Sequence, residues 1–261
     1  KLEPKEKITT AKRRSIILRK LDEHFEVNVS ELSKLFGVSE VTIRNDLGSL
    51  EEKNLLVRAR GGAIKASEIN RDSKLSEKTS KNLKEKKAIA QIAATLIAEG
   101  DTVFIDSGST TEEVAKLLAN YKFLTIVTNA INIMSLFTDN PNITVIVPGG
   151  ILRHTSCSLV GMTSEQNLNE FYCDKLILGV DAIDINGIYT PNIEEANLNR
   201  AMIKISKEII LVTDSSKFNK RSMSKIGEVT SNLSMITDSN IPANLLKIFQ
   251  EKGVTIHIAK V

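Results

Sequence analysis

Seven short runs rich in β-branched residues recur through the second part of this 261-residue chain: Thr102–Asp106, Leu124–Thr128, Ile143–Val147, Lys175–Val180, Glu208–Thr213, Leu233–Thr237 and Val254–Ile258. Most alternate with stretches whose apolar residues repeat at helical spacing, such as Ile89–Ala98, Thr111–Leu118, Ala196–Ile205 and Ala243–Phe249. The runs are apolar along their length rather than on every second residue, so both faces must be covered. Strand, helix, strand repetition of this kind predicts a mainly parallel, Rossmann-like α/β domain with helices on both sides.

The first quarter has a different texture. Ile16, Ile17, Leu18 and Leu21 form a helical stripe, with Arg13, Arg14, Arg19 and Lys20 expected outside it. A second helix begins at Ser30 and buries Leu32, Leu35 and Phe36, and Gly37 follows where a left-handed turn residue is wanted. Ser39 suits the N-cap of a third helix, with Val41, Ile43, Leu47 and Leu50 facing inward. Leu55–Arg58 and Ala63–Lys65 then flank Arg60-Gly61-Gly62 as a hairpin. Two short helices about a Gly turn followed by a basic-tipped hairpin suit a winged helix-turn-helix, which lays its third helix in the major groove of double-stranded DNA; the alternative is a three-helix protein-interaction module whose polar face is merely solvated.

Charge agrees with that placement. Residues 1–66 carry 14 Lys/Arg against 10 Asp/Glu, and the remainder is slightly acidic, so the positive excess lies where phosphates would be met. The outward set of the third helix is Ser39, Glu40, Thr42, Arg44 and Asn45; Arg can pair bidentately with guanine and Asn with adenine. Arg58, Arg60, Gly61 and Gly62 complete the expected DNA surface, while Asp46, acidic beside DNA, should bond within the protein. Aromatic residues are only 4% of the chain and Trp is absent, which argues against stacking on single strands.

The expected organisation is a DNA reader over residues 1–66, a polar linker over 67–80 and an α/β effector domain over 81–261. In the last, Asp106-Ser107-Gly108-Ser109-Thr110-Thr111 leaves an apolar strand and opens a helix, a ready anion site. It has neither the Gly-Lys-Ser/Thr of a Walker loop nor a three-glycine dinucleotide fingerprint, so a phosphate monoester fits better than a nucleotide. Polar residues at other strand ends join the candidate set: Thr128-Asn129, Gly149-Gly150, Asp181 and Asp214 with Lys217, together with Glu195 and Lys204 on a following helix. Each of the Asp and Asn residues could equally be a helix cap.

Cys157 and Cys173 are the only cysteines and His24, His154 and His257 are scattered, so neither a disulfide framework nor a metal site is expected. No apolar run reaches membrane-spanning length and no leader pattern opens the sequence, which leads to an expected cytoplasmic location and no membrane partner.

SELSKLFGVSEVTIRNDLGSLEEKNLLVRARGGA resembles the winged helix-turn-helix of DeoR-family transcriptional regulators. DSGSTT, VTNAINI, VPGGILR, GVDAID, GIYTPNIEEA and TDSSKF resemble the effector domain of the same family. The resemblance implies a repressor of a carbohydrate operon, with an effector domain sharing the fold of ribose-5-phosphate isomerase and a phosphorylated sugar as effector. Ser107–Thr111 would hold phosphate, and Asp106, Asp181, Glu195, Lys204 and Lys217 would serve the sugar or a conformational switch. The chain departs from it at Asn45, where many members have a second Arg. It departs again at Tyr189-Thr190-Pro191-Asn192, where the isomerases have a Lys and a glycine-rich turn. No catalytic residue, metal or resident cofactor is expected; self-association to at least a dimer is, since a two-fold operator needs a two-fold reader. The competing readings are a sugar-phosphate isomerase or hydrolase with an appended DNA module, and an activator or a regulator read by another protein.

Overall fold

The computed structural model describes residues 8–24, 26–53, 55–59, 61–65 and 72–261, and the chain divides into two compact units, Lys1–Arg71 and Asp72–Val261.

In the first unit helix α1 (Thr10–His24) is followed by strand β1 (Glu26–Asn28), helices α2 (Val29–Phe36) and α3 (Glu40–Glu51), and strands β2 (Leu56–Ala59) and β3 (Gly62–Lys65). Asn28 caps α2, accepting from the Ser30 N–H at 2.8 Å, and Gly37 closes it in the left-handed conformation with φ of +63°. Ser39 accepts from the Thr42 N–H at 3.2 Å and so caps α3. The core gathers Ile17, Leu21, Val29, Leu32, Ile43, Leu47, Leu50, Leu56 and Ala63.

Three expectations for this unit need correction. Leu35 and Val41 are exposed, because the inward stripes run through Val29, Leu32 and Phe36 on α2 and through Ile43, Leu47 and Leu50 on α3, which turn both residues away. Arg13 is buried rather than outside, and its partner is Asp46. The hairpin also has a third strand, since β1 pairs antiparallel with β3, Val27 opposite Ala63.

The second unit opens with two helices, α4 (Leu75–Thr79) and α5 (Leu83–Thr95). Part of the segment expected as linker therefore belongs to the second unit: Leu75 and Lys78 bond to Thr155 and Asp181, and Asn82, just beyond that segment, bonds to Asp214. The rest of that segment up to Arg71 lies outside the described residues. All seven runs of the sequence become strands of one parallel sheet, β4 (Thr102–Ile105), β5 (Leu124–Thr128), β6 (Ile143–Ile146), β9 (Cys173–Gly179), β12 (Ser206–Val212), β14 (Leu233–Asp238) and β15 (Thr255–Ala259). Between them run α6 (Ser109–Leu118), α7 (Ile131–Ser135), α8 (Met162–Leu168), α9 (Ile193–Ile205) and α10 (Ala243–Glu251). A hairpin β7 (Ile151–Arg153) with β8 (Ser158–Val160), and a small antiparallel sheet of β10 (Ala182–Asp184), β11 (Gly187–Thr190) and β13 (Ser224–Gly227), lie outside the main sheet.

Successive side chains of each strand feed two cores. Phe104, Leu176, Leu178, Leu211 and Met235 pack with Leu198 and Met202 of α9 and Phe249 of α10. Val103, Ile105, Ile177, Ile210 and Ile236 pack on the opposite face with Ile89 of α5 and Val114 and Leu118 of α6. The result is a three-layer α/β/α sandwich, as the doubly apolar runs require.

Strand order is β15-β14-β12-β9-β4-β5-β6. From β4 the chain proceeds outward to β5 and β6, then returns to lay β9 on the other side of β4 and continues that way. The order reverses between β4 and β9, and the C-terminal ends of such a pair leave a crevice between diverging connections.

Candidate functional site

Asp106 and Gly179-Val180-Asp181 leave β4 and β9 side by side, and a cavity of about 60 Å³ opens there. Its floor is the turn Asp106-Ser107-Gly108-Ser109-Thr110. The first turn of α6 carries no side-chain cap, and Gly108, Ser109 and Thr110 at that end of the helix line the cavity. Asn129, Asp181, Glu195 and Lys217 also line the cavity.

The carboxylates differ in their surroundings. Asp106 is 4% exposed, and burial raises its pKa to about 8, with the Glu195 charge pushing the same way. The N–H groups of Ser107 and Gly179 and the Asn199 side chain favour the ionised form, without offsetting burial. Asp106 is therefore largely protonated at neutral pH and can donate a hydrogen bond. Burial would raise Asp181 as well, but the Lys78 ammonium, 2.5 Å from Oδ1, and the charge of Lys217 hold it below the ordinary carboxylate range. The Thr190 hydroxyl lies between Asp181 Oδ2 at 3.3 Å and Glu195 Oε2 at 3.0 Å, and Arg153 Nη1 donates to Glu195 Oε1 at 3.0 Å. Asn129 is 2% exposed, donates through Nδ2 to the Leu159 carbonyl, and leaves Oδ1 without a partner. An acceptor of this sort at a cavity wall takes its donor from water or from a bound ligand.

Six residues expected at this site lie elsewhere. Thr111 is fully buried beneath Gly179 and donates to the Gly108 carbonyl. Thr128 closes the end of β5, donating to the Ile105 carbonyl and accepting from the Ala130 N–H. Gly149 and Gly150 make a tight turn at φ of +81° and +120°, and a Cβ at Gly150 would lie 2.7 Å from the Val160 carbonyl oxygen. Asp214 caps the turn Ser215–Lys217. Lys204 is exposed in the last turn of α9, roughly 13 Å along the helix from Glu195 at 1.5 Å per residue. The structure adds Leu75, Lys78, Ser156, Thr190, Leu198 and Asn199 to the lining. Asn199 follows Glu195 by four residues on one helix and could have been found by that spacing; Lys78 carried no such signal.

On the first unit Glu40, Arg44 and Asn45 are exposed on α3, and Arg44 Nη2 is paired with Glu40 Oε2 at 2.5 Å. Ser39 and Thr42 bond to each other at 2.9 Å and form the cap. Arg58 is exposed and donates to the Arg44 carbonyl at 3.3 Å. Gly61 is exposed at φ of +79°. Gly62 is buried in the β1–β3 pair, where a Cβ would come within 1.9 Å of the Val27 carbonyl oxygen, so its role is packing rather than contact with DNA. Arg60 lies outside the described residues. Among the described residues no group of His, Cys, Asp and Glu could hold a metal ion, and no helix is long and apolar enough to cross a membrane.

Two protein families match the two units in order. Residues 13–68 match the DeoR-like helix-turn-helix domain and residues 81–239 the DeoR C terminal sensor domain. The chain belongs to the DeoR family. Among DeoR relatives, a protein of Escherichia coli O157:H7 named for transcriptional repression of an aga operon is 39% identical over 95% of this chain and 93% of its own length. The glycerol-3-phosphate regulon repressor of Escherichia coli K12 is 32% identical over 89% of this chain and 92% of its own. Among solved structures, ribose 5-phosphate isomerase A of Methanocaldococcus jannaschii matches with a TM-score of 0.39 and 15% identity, over 52% of this chain and 55% of that one. That distant likeness says nothing of chemistry. As a DeoR-family member the chain is a transcriptional regulator, with its helix-turn-helix in the first unit and its sensor in the second.

Proposed function

We propose that this regulator is a repressor of a carbohydrate-utilisation operon, relieved when a phosphorylated sugar binds in the cavity between β4 and β9. The observation that carries the reading is the uncapped N-terminus of α6 at the strand-order reversal, faced by hydroxyl-binding groups. The backbone of Ser107–Thr110 and the Lys217 ammonium suit the phosphate. Asp181, Glu195 and the unpartnered Asn129 oxygen suit sugar hydroxyls, and protonated Asp106 can donate to a ligand oxygen. Arg44 and Asn45 read bases, and Arg58 and Arg60 hold phosphates beside them. The protein binds a two-fold operator as a dimer or higher oligomer, and the ligand favours a conformation in which the two readers no longer match the half-sites. The names of the relatives, tied to an aga operon and to a glycerol-3-phosphate regulon, support a sugar-related role.

The experiment is fluorescence anisotropy of the protein on DNA from upstream of its own gene, with and without phosphorylated sugars. Salt-sensitive binding that one sugar phosphate weakens is expected. If no such ester changes either operator affinity or thermal stability, the effector half of the reading falls.

One observation favours a second reading. Asp106, whose pKa burial raises to about 8, shares one cavity with the carboxyl of Glu195, and two carboxyl groups in one site are what proton-transfer isomerisation uses. Incubation with aldose and ketose phosphates decides it: no interconversion is expected, and turnover abolished by Glu195→Gln or by Asp181→Asn would replace the regulator-only reading.

A further inference from the structure

The cavity is roofed by the segment through which the sensor unit is joined to the reader. Leu75 and Lys78 are part of its lining, yet they precede the sheet that builds the rest. A cavity of about 60 Å³ falls well short of the roughly 300 Å³ at which small-molecule sites begin, so a phosphorylated sugar does not fit beneath the roof as it stands.

The roof is tied down along its length. Asp72 pairs with Arg153, whose other guanidinium nitrogen holds Glu195 of the cavity wall. The Leu75 N–H donates to the Thr155 carbonyl at 2.7 Å. Lys78 Nζ donates to Asp181 Oδ1 at 2.5 Å. The chain then turns at Asn82, a non-glycine residue at φ of +53°, whose side-chain amide donates to Asp214 at 2.9 Å and Ser216 at 3.1 Å. From below, the Lys86 ammonium, 3% exposed, donates to the carbonyls of Lys78 and Lys81. Most of these ties are polar and side-chain-borne, and α4 has no buried residue of its own. Segments held in this way open at low cost relative to the whole unit.

Resting on the effector reading above, we propose that Asp72–Asn82 is a displaceable strap over the sensor cavity, with the Lys78 ammonium standing in for the ligand at Asp181 until a phosphorylated sugar displaces it. A sugar hydroxyl at Asp181 and the ammonium of Lys78 compete for one carboxylate, so ligand entry and strap seating exclude each other. Asp72 is the first residue of the sensor unit and Arg71 the last of the reader unit, so release of the strap frees the covalent connection to the reader. Ligand chemistry at β4 and β9 is thereby turned into freedom of the chain at residue 72 without any change in the sheet.

The test is hydrogen exchange of the full-length protein over peptides covering 72–82, run beside thermal shift. The probes are ribose 5-phosphate, fructose 6-phosphate, glucose 6-phosphate, glycerol 3-phosphate and inorganic phosphate. An ester that raises Tm should speed exchange at Leu75 to Asn82 by about five- to tenfold while slowing it in the first turn of α6. Lys78→Met should show the faster strap exchange without ester and should bind that ester more tightly by a similar factor, since the closed state no longer competes. Asp72→Asn, which loosens the other end, should shift both in the same direction and serves if Lys78→Met does not fold. An ester that stabilises the protein while strap exchange stays constant or slows overturns the proposal but leaves the effector reading standing. Weaker ester binding by Lys78→Met also overturns it, making Lys78 a contact of the closed complex. If no ester shifts Tm, the effector reading fails and the displacement with it.

Discussion

Arg13 Nε donates to Asp46 Oδ2 at 2.5 Å, with both residues almost out of solvent, and so ties α1 to the buried face of α3, away from exposed Glu40 and Arg44. Asp46 Oδ1 also accepts from Arg14 Nε at 2.8 Å, and Arg14 reaches on to Ser49 at 2.8 Å. Removing the carboxylate would strand a buried guanidinium, a change that costs about 3–5 kcal/mol. Asp46→Ala should therefore lower the unfolding temperature of the reader, speed hydrogen exchange in α3, and weaken binding to every DNA sequence alike. Loss of preference at one base pair with unchanged stability would instead place Asp46 at the DNA.

Arg44 is held by Glu40 one turn earlier in the same helix, and both are exposed. Replacing Arg44 by Ala should cost about 1–3 kcal/mol of operator binding and relax preference at one base pair. An equal loss on all sequences would make it a phosphate contact. Glu40→Gln frees the guanidinium and removes a negative charge from the face proposed to meet DNA, so anisotropy titrations should show tighter binding at low salt and a difference that shrinks as salt rises.

Gly62 fixes the wing. A Cβ there would overlap the Val27 carbonyl, which is backbone and has nowhere to go without parting β1 from β3. Gly62→Ala should destabilise the reader by about 1–3 kcal/mol or more through overpacking. Thermal unfolding and the exchange rate of the Val27 amide report this, and a variant that matches the parent in both would show that the strand pair tolerates the shift.

Why some of this was legible in the sequence and some not follows from the residues involved. The seven β-branched runs became strands because both faces of each are buried, and that demand writes an apolar run that no loop would carry. β1, β7 and β10, at three residues each, are too short to show any period. The turn at Asp106–Thr110 was readable because a sharp strand-to-helix turn asks for small residues, and it lines the cavity. The turn at Gly149-Gly150 looked alike but answers to the close approach of Val160 and Ser164. Lys78 was missed for a physical reason: a lysine in a polar stretch reads as solvated linker, and only the fold brings it to Asp181, 103 residues away.

Asp106 makes stability depend on pH in an unusual sense. Its native pKa of about 8, raised first by burial and then by Glu195, lies above the value of about 3.9 in an unfolded chain. Between those values the native state keeps a proton that the unfolded state has lost, so unfolding releases a proton and stability falls as pH rises. The loss begins near pH 4, continues to about 8 and then levels off, the opposite of a salt-bridged carboxylate. Asp106→Asn supplies a neutral side chain whose amide oxygen can still accept from the Gly179 N–H. It should raise Tm at pH 8 by a few degrees, since about 1 kcal/mol moves Tm by about 2–4 °C in a domain of this size. The gain should shrink steadily toward pH 5, where the parent is protonated in a larger share of both states. Calorimetry at pH 5, 6, 7 and 8 reads this directly. A variant less stable than the parent at pH 8, or a gain that grows as pH falls, would mean that Asp106 is ionised in the native protein.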